Sequence, residues 1–391
     1  MVMSVQCPVP FPGPDTVNLN PPSEAESTLI AAGTLSATRT ADGNTEVQRL
    51  LVEAIIEAMT GHHVDTSSVA HLDAEAYATH LADRAEGFRM RMVHFMILSA
   101  LVLKPIPADV AHQVAEYSRW LGIDDRLLRT VEEFASSDHA LAASDFERNG
   151  YTADWSKERC QVLHTHRKMM HGWDADDDDP ELAEQWRALG DLPEDTLGRQ
   201  VFNFYQARGF LFPGLPGSAP PLLAQHDWVH VLVDYGTKVE AEMEVFAFIA
   251  RANDNPRGFS LLAMVVSLFE TGYLSADAGL FEAFPGQLEL RGMAVRIADA
   301  MRRGALSGGM NGEPDVDFMS VDWFAIADQP IESLRERFKI QPKSAHAVEV
   351  GSKSPWEPGG ISITQLGMGQ RLAEAEGRAY DTFGAAVLDD V

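Results

Sequence analysis

His226 and His230 close the pentad His226-Asp227-Trp228-Val229-His230, and Glu242 follows after eleven intervening residues. On a helix, two histidines four apart share one face a turn from each other, so their imidazoles can hold a single cation. Were that helix to run on, Glu242 would sit about 18 Å from His230 at about 1.5 Å of rise per residue, beyond reach of the same ion. The chain must therefore turn between them. Asp234-Tyr235-Gly236 supplies a stop, and Thr237-Lys238-Val239-Glu240 has the form of a capping box that opens a second helix. On that helix Glu240 and Glu244 share one side, while Glu242 aligns with Val245, Phe246 and Ile249. One carboxylate of the three is expected to point inward.

A buried carboxylate needs a cation, a donor or a proton, because an unpaired charge in apolar surroundings costs several kcal/mol or more. Histidine and carboxylate donors together suit zinc, or another divalent transition ion such as Fe2+, better than calcium or magnesium, which prefer all-oxygen shells. With Asp227 included, one helical hairpin offers four candidate ligands: His226, Asp227, His230 and Glu242. A histidine pair at this spacing is more often ordinary surface or core chemistry when it stands alone. The inward glutamate after a capped turn is what favours a metal.

A His-Asp-x-x-His doublet followed by eleven residues and Glu resembles the signature of the coenzyme Q biosynthesis protein 4 family. Upstream, Leu192-Pro193-Glu194-Asp195-Thr196-Leu197-Gly198, leading into Val201, Phe202, Phe204 and Tyr205, resembles that family's Leu-Pro-x-x-Thr-Leu-Gly segment and the aromatic helix behind it. Downstream, Trp323 and Leu334-Arg335-Glu336-Arg337-Phe338-Lys339-Ile340 resemble its closing Trp and Leu-Arg-x-x-x-x-Ile. The likeness spans about Leu182 to Pro342, under half of the chain. Ala241 stands where the family usually has Gly before the motif Glu, a change that a helix interior tolerates.

The resemblance implies an all-helical fold, a zinc or similar ion on those four residues, and a role in prenylated quinone synthesis at the inner face of a membrane. It further implies either a scaffold for other quinone-biosynthesis enzymes or an enzyme that oxidatively removes the carboxyl group from a prenylated hydroxybenzoate ring. A lipidic ligand is compatible with the residues themselves. Asn255-Pro256 opens a segment in which Phe259, Leu261, Leu262, Ala263, Met264, Val265, Val266, Leu268 and Phe269 are apolar on every side. It is too short to span a bilayer, which takes about 20 apolar residues. It reads as a central bundle helix or as the wall of an isoprenoid tunnel. The loop Phe210 to Gly217, hydrophobic and rich in Pro and Gly, reads either as a packed loop or as a tunnel mouth that meets a membrane surface.

Composition bounds what remains. The chain has 391 residues, 45% of them hydrophobic, with a mean hydropathy of -0.13, the balance of a globular, non-membrane protein. Met1 to Pro22 has neither the basic start nor the long apolar run of a signal peptide, so a cytoplasmic location is expected. Two cysteines, Cys7 and Cys160, supply neither a disulfide framework nor a thiolate metal site. A formal net charge of -27 argues against nucleic acid and against a broad electrostatic grip on anionic lipid. Any membrane contact is expected to be local, hydrophobic and peripheral.

The expected organisation is an unstructured tail over 1–44, a helical bundle for interaction or dimerisation over 45–150, an acidic linker over 151–181, the metal-binding helical domain over 182–342, and a tail with one helix over 343–391. The smaller block is anchored by the stripe Val47, Leu50, Leu51, Ala54, Ile55 and Ala58, by the apolar run Met90 to Leu103, and by segments Ala108 to Leu121 and Arg126 to Phe134. In its order of helices it resembles the tellurite-resistance B-type domain. Five aspartates between Asp174 and Asp179 lack the glycine turn and terminal Glu of a calcium loop and read as a solvated linker. His62-His63 and the group His164, His166 and His171 have no carboxylate in helical register, and His94 reads as a hydrogen-bonded core residue. A final helix over Ile363 to Leu388 is expected to wrap a partner subunit, which points to a homo-oligomer. Arg208 and Lys238, close to the motif, could pair with a substrate carboxylate, but a solvated place at the surface is the expectation for both.

Two other functional classes fit the residues. A scaffold or prenyl-lipid carrier would hold a structural ion in a closed four-ligand shell. A metallohydrolase is suggested by the likeness of His-Asp-x-x-His to the His-Glu-x-x-His motif, although Asp227 is one methylene short of the Glu that serves there as base.

Overall fold

A computed structural model of the chain describes residues 22–124, 128–136, 164, 173, 176, 178–253, 258–271, 286–288, 290, 292–313 and 315–380. Cys7, Cys160, His166, His171, the start of the acidic run and the last residues of the expected C-terminal helix lie outside them. Among the described residues the protein is all-α, with helices and no strand.

The first block contains α1 (Glu24–Ala37), α2 (Glu46–Thr60), α3 (Ala74–His80), α4 (Glu86–Leu101), α5 (Ala108–Trp120) and α6 (Leu128–Ala135). Within the tail expected to be unstructured over 1–44, residues 24–37 are helical, and 1–21 lie outside the described residues. The N-cap of α1, Ser23, accepts from the Glu26 amide, and Ile30, Ala31, Leu35 and Ala37 are buried. The hydroxyl of Ser27 is satisfied by the Ser23 carbonyl, and that of Thr38, just past the helix, by Thr34. α2 starts with a full capping box between Thr45 and Gln48.

The second block runs through α7 (Pro180–Ala188), α8 (Leu197–Arg208), α9 (Pro221–Val233), α10 (Val239–Ala252), α11 (Gly258–Val265, continued by a π turn to Glu270), α12 (Met293–Leu306), α13 (Ile331–Arg337), α14 (Ala345–Glu349) and α15 (Ile363–Ala375). α12 packs along α10 on one side and α2 on the other, and α11 packs on α4 and α10. The blocks expected at 45–150 and 182–342 thus meet in one contiguous hydrophobic core that includes Ile30, Val52, Phe95, Phe204, Phe248 and Phe338. α15 stops at Ala375, shorter than the expected helix, with Gly377 in the left-handed region just beyond it.

The segments that carry the family likeness all pack around α9. Gly198 lets α8 approach Ala327, because a Cβ there would lie 2.9 Å from the Ala327 carbonyl oxygen and 2.7 Å from Leu192. The Gly198 amide donates to that same carbonyl at 2.8 Å. Trp323 stacks on Trp228, with ring centroids 6.1 Å apart and planes within 5°. Arg335 donates to the carbonyls of Val231 and Leu232, closing the last turn of α9. The loop after α8 is packed at its centre. Phe212 stacks against Phe202 and Tyr205, and Gly214 accepts from the Asp179 amide, while Leu211 is exposed.

No helix among the described residues is long and apolar enough to cross a membrane.

Candidate metal centre

α9 begins with Pro221, whose fixed φ and missing N–H suit a first helical position. The helix is buried nearly all round, so both of its histidines face protein. It ends at Asp234, which adopts φ 70° and ψ 46°. The stop is therefore made by Asp234 rather than Gly236. Gly236 is needed for a different reason: a Cβ there would sit 2.5 Å from the Gly360 carbonyl oxygen. Lys343 neutralises Asp234 at 3.3 Å and donates to its carbonyl at 2.8 Å.

The expected capping box at Thr237 does not form. Lys238 is the N-cap of α10 and makes no side-chain cap bond. The Thr237 hydroxyl instead donates to Gln365 and accepts from Arg208, while its amide donates to Gly360. Residues more than a hundred positions later thus hold the turn that the local sequence alone was expected to make.

Across this turn the predicted residues come together. Nε2 of His226 lies 3.2 Å from Glu242 Oε2, and Nε2 of His230 lies 3.3 Å from the same oxygen. Asp227 Oδ1 is 3.7 Å from His226 Nε2. One donor atom each from His226, Asp227 and His230 lies within 4.8 Å of the others, a buried group that could hold a metal ion. Relative exposure is 4% for His226, 6% for Asp227, 0% for His230 and 2% for Glu242. Glu244 corrects the expectation of one inward carboxylate on α10. It too is buried, and it pairs with Arg296 at 2.5 Å.

The far nitrogen of each imidazole is committed. His226 Nδ1 donates to the Leu223 carbonyl, and His230 Nδ1 donates to that of Tyr235 at 3.2 Å. A carbonyl only accepts, so Nδ1 carries hydrogen in both rings and Nε2 is the nitrogen turned to Glu242. Burial disfavours a charged His226, but Asp227 and Glu242 outweigh it and lift its pKa to about 9. Burial likewise pushes Glu242 up, and His230 and His226 more than reverse this, holding it at about 2. Asp227 moves the other way, raised by burial. Without an ion, the proton on His226 Nε2 bridges the space between imidazole and carboxylate.

The donor chemistry fits a zinc-class cation. Two imidazole nitrogens and a carboxylate oxygen face one point, water is excluded, and two buried carboxylates with neutral histidines would carry the charge that a divalent ion cancels. Among the described residues no second such group of His, Cys, Asp or Glu forms. His63 meets Glu57 at 3.7 Å on the surface. His164 bonds Asp322 at 3.0 Å and packs edge-on against Phe324. His94 is buried in α4.

Several partners of the site were not visible as such in the sequence. Tyr205, part of the aromatic segment on α8, donates to Asp227 Oδ2 at 2.5 Å. Burial first, and Asp227 second, push its hydroxyl pKa well up. Arg208 corrects the surface expectation: it is fully buried and donates to Thr237, Pro355 and Gly360, with its guanidinium 3.9 Å above the Phe204 ring. Lys238 is exposed, as expected. Tyr205 and Asp227 are 22 positions apart in the chain, too far for any local periodicity to link them.

No family profile matches the chain, and no curated protein matches it significantly. A crystal structure from Nostoc punctiforme, of a protein whose name assigns it provisionally to ubiquinone biosynthesis, is similar over 66% of this chain and 99% of that one. The identity is 16% and the TM-score 0.29, a superposition too loose to support a functional argument.

Proposed function

We propose that this chain is a metal-dependent protein of prenylquinone synthesis, with His226, Asp227, His230 and Glu242 holding Zn2+ or another divalent transition ion such as Fe2+. The observation that carries the reading is the convergence of both Nε2 atoms on one oxygen of Glu242, at the motif spacing by which the chain resembles the coenzyme Q biosynthesis protein 4 family. The leading activity is oxidative removal of the carboxyl group from a prenylated hydroxybenzoate ring: the ring–carboxyl bond breaks, carbon dioxide leaves, a hydroxyl takes its place on the ring, and an external two-electron oxygen-donating oxidant is consumed. When bound, the ion would hold the substrate through its carboxylate or an adjacent ring oxygen and supply Lewis-acid stabilisation of the negative charge that develops as carbon dioxide leaves. The chain's own part is to fix the donors: Leu223 and Tyr235 set the faces of the imidazoles, and the surrounding core excludes water. Its partners on this reading are a prenylated aromatic lipid, the other quinone-biosynthesis enzymes and a second copy of the chain, met at the cytoplasmic face of a membrane.

One observation also favours a non-enzymatic scaffold or prenyl-lipid carrier. All four donors are buried, and a shell closed by four protein ligands is the pattern of structural zinc, whereas catalytic zinc keeps a position open. A metallohydrolase would need Asp227 free to act as base, and here Tyr205 and His226 engage it.

The test is metal analysis of the purified protein and its His230→Ala variant, joined to quinone measurement in cells that depend on each. Stoichiometric metal lost in the variant together with quinone deficiency supports the reading. Normal quinone levels with the variant remove the biosynthetic role. A metal-bearing protein that sustains quinone synthesis yet leaves a prenylated benzoate unchanged in vitro is a scaffold.

A further inference from the structure

Tyr205 lies outside the donor set, yet its hydroxyl reaches Asp227 Oδ2 at 2.5 Å. The phenol has no room to swing away. It is 1% exposed, stacked on Phe212 at 5.7 Å, edge-on to Phe210 at 5.6 Å and against Trp186 at 4.9 Å. The other oxygen of Asp227, Oδ1, is the one turned toward His226 Nε2, at 3.7 Å. The two oxygens of one carboxylate thus have different occupations.

A carboxylate can meet an ion through one oxygen or through both, and the choice changes the coordination number that the site offers. An oxygen that already accepts a short bond from a fixed phenol is a poorer second donor. We propose that Tyr205 is a positioning residue that restricts Asp227 to a one-oxygen role, and so sets the site for a four-coordinate ion rather than a larger, oxygen-rich shell. The inference rests on the metal reading proposed for these four residues. With Asp227 held, two imidazoles and one oxygen each from Asp227 and Glu242 make a four-atom set suited to zinc or cobalt. With both Asp227 oxygens free, the set expands toward the shells that manganese accepts.

Tyr205→Phe removes the hydroxyl and keeps the ring in its stack. The experiment uses the full chain, stripped of metal and titrated with Co2+, whose visible absorption is intense in four-coordinate sites and weak in larger shells. The expected result is intense bands in the wild type and weak ones in Tyr205→Phe, with the preference for Zn2+ over Mn2+ falling roughly 10- to 100-fold. Equal band intensity and equal selectivity in both proteins would overturn the role of Tyr205 and leave the metal reading standing. Failure of the wild type to bind Co2+ or Zn2+ would overturn both. Should Tyr205→Phe not fold, X-ray absorption on the zinc-loaded wild type decides: four light-atom neighbours support the proposal, and an added second Asp227 oxygen overturns it.

Discussion

Glu242 and Glu244 stand two residues apart on α10, both are buried, and each has partners of its own: the His226 and His230 imidazoles face the first, and Arg296 meets the second at 2.5 Å. Glu242→Ala should therefore strip bound metal while leaving the α10–α12 contact intact. Glu244→Ala should keep the metal and strand Arg296, costing on the order of 3–5 kcal/mol of stability, as when one partner of a buried pair is removed. Metal content by mass spectrometry and denaturant unfolding of the two variants check this. Metal loss in a folded Glu244→Ala would undo the separation.

Metal-free protein should have a definite pH profile. The pKa of His226 is raised from 6.5 to about 9, so its contribution is complete below pH 6.5 and is lost as pH rises through about 9. Glu242 is lowered from 4.5 to about 2, so its contribution is complete above pH 4.5 and is lost as pH falls through about 2. For this pair, stability without metal is greatest between about pH 4.5 and 6.5 and declines toward pH 9. Binding an ion displaces the His226 proton, so the gain in melting temperature on adding zinc should grow over the same rise in pH. Thermal melts with and without chelator between about pH 5 and 9 measure both trends; a metal-free protein that melts highest at about pH 9 would contradict the first.

Arg208 ties the end of α8 to the segment after α14, through Pro355 and Gly360. Replacing it by Ala leaves the buried Pro355 carbonyl without its donor, at a cost of about 1–3 kcal/mol, while the Gly360 carbonyl keeps the Thr237 amide. Lysine should not rescue, because one ammonium cannot match the fork that reaches Thr237 and two carbonyls together. Limited proteolysis should then cut within 352–380 in both variants well before the core is attacked. Protection equal to the wild type in Arg208→Lys would show that charge alone suffices.

Gly304 lets α12 lie against α10, since a Cβ at that position would collide with the Phe248 carbonyl oxygen. Gly304→Ala should cost about 1–3 kcal/mol by forcing the helices apart, despite the better helix propensity of alanine. A midpoint of urea unfolding equal to or above that of the wild type would refute it.

The parts that sequence made legible are those whose signal is local. The hairpin, its four facing residues and the burial of α4 follow from helical periodicity and from one short motif. α1 escapes a reading by periodicity because its buried face mixes Ile30 and Leu35 with Ala, Gly, Ser and Thr, which leaves little contrast between its faces. The burial of Arg208 and Glu244 is invisible locally for a related reason: charged side chains are mostly exposed, and the partners that bury these two lie far along the chain. Thr237 looks like a cap in the sequence, yet its hydroxyl serves Gln365, 128 residues later, instead of its own helix.

The turn at Gly236 and Thr237 is closed by backbone atoms of Lys353 and Gly360 and by the Gln365 side chain. During translation, a growing polypeptide that has already emerged past Glu242 carries every proposed donor but not yet the residues that hold their hairpin in shape. A product terminated before Lys353 would keep all four residues of the hairpin and lack the contacts that close its turn.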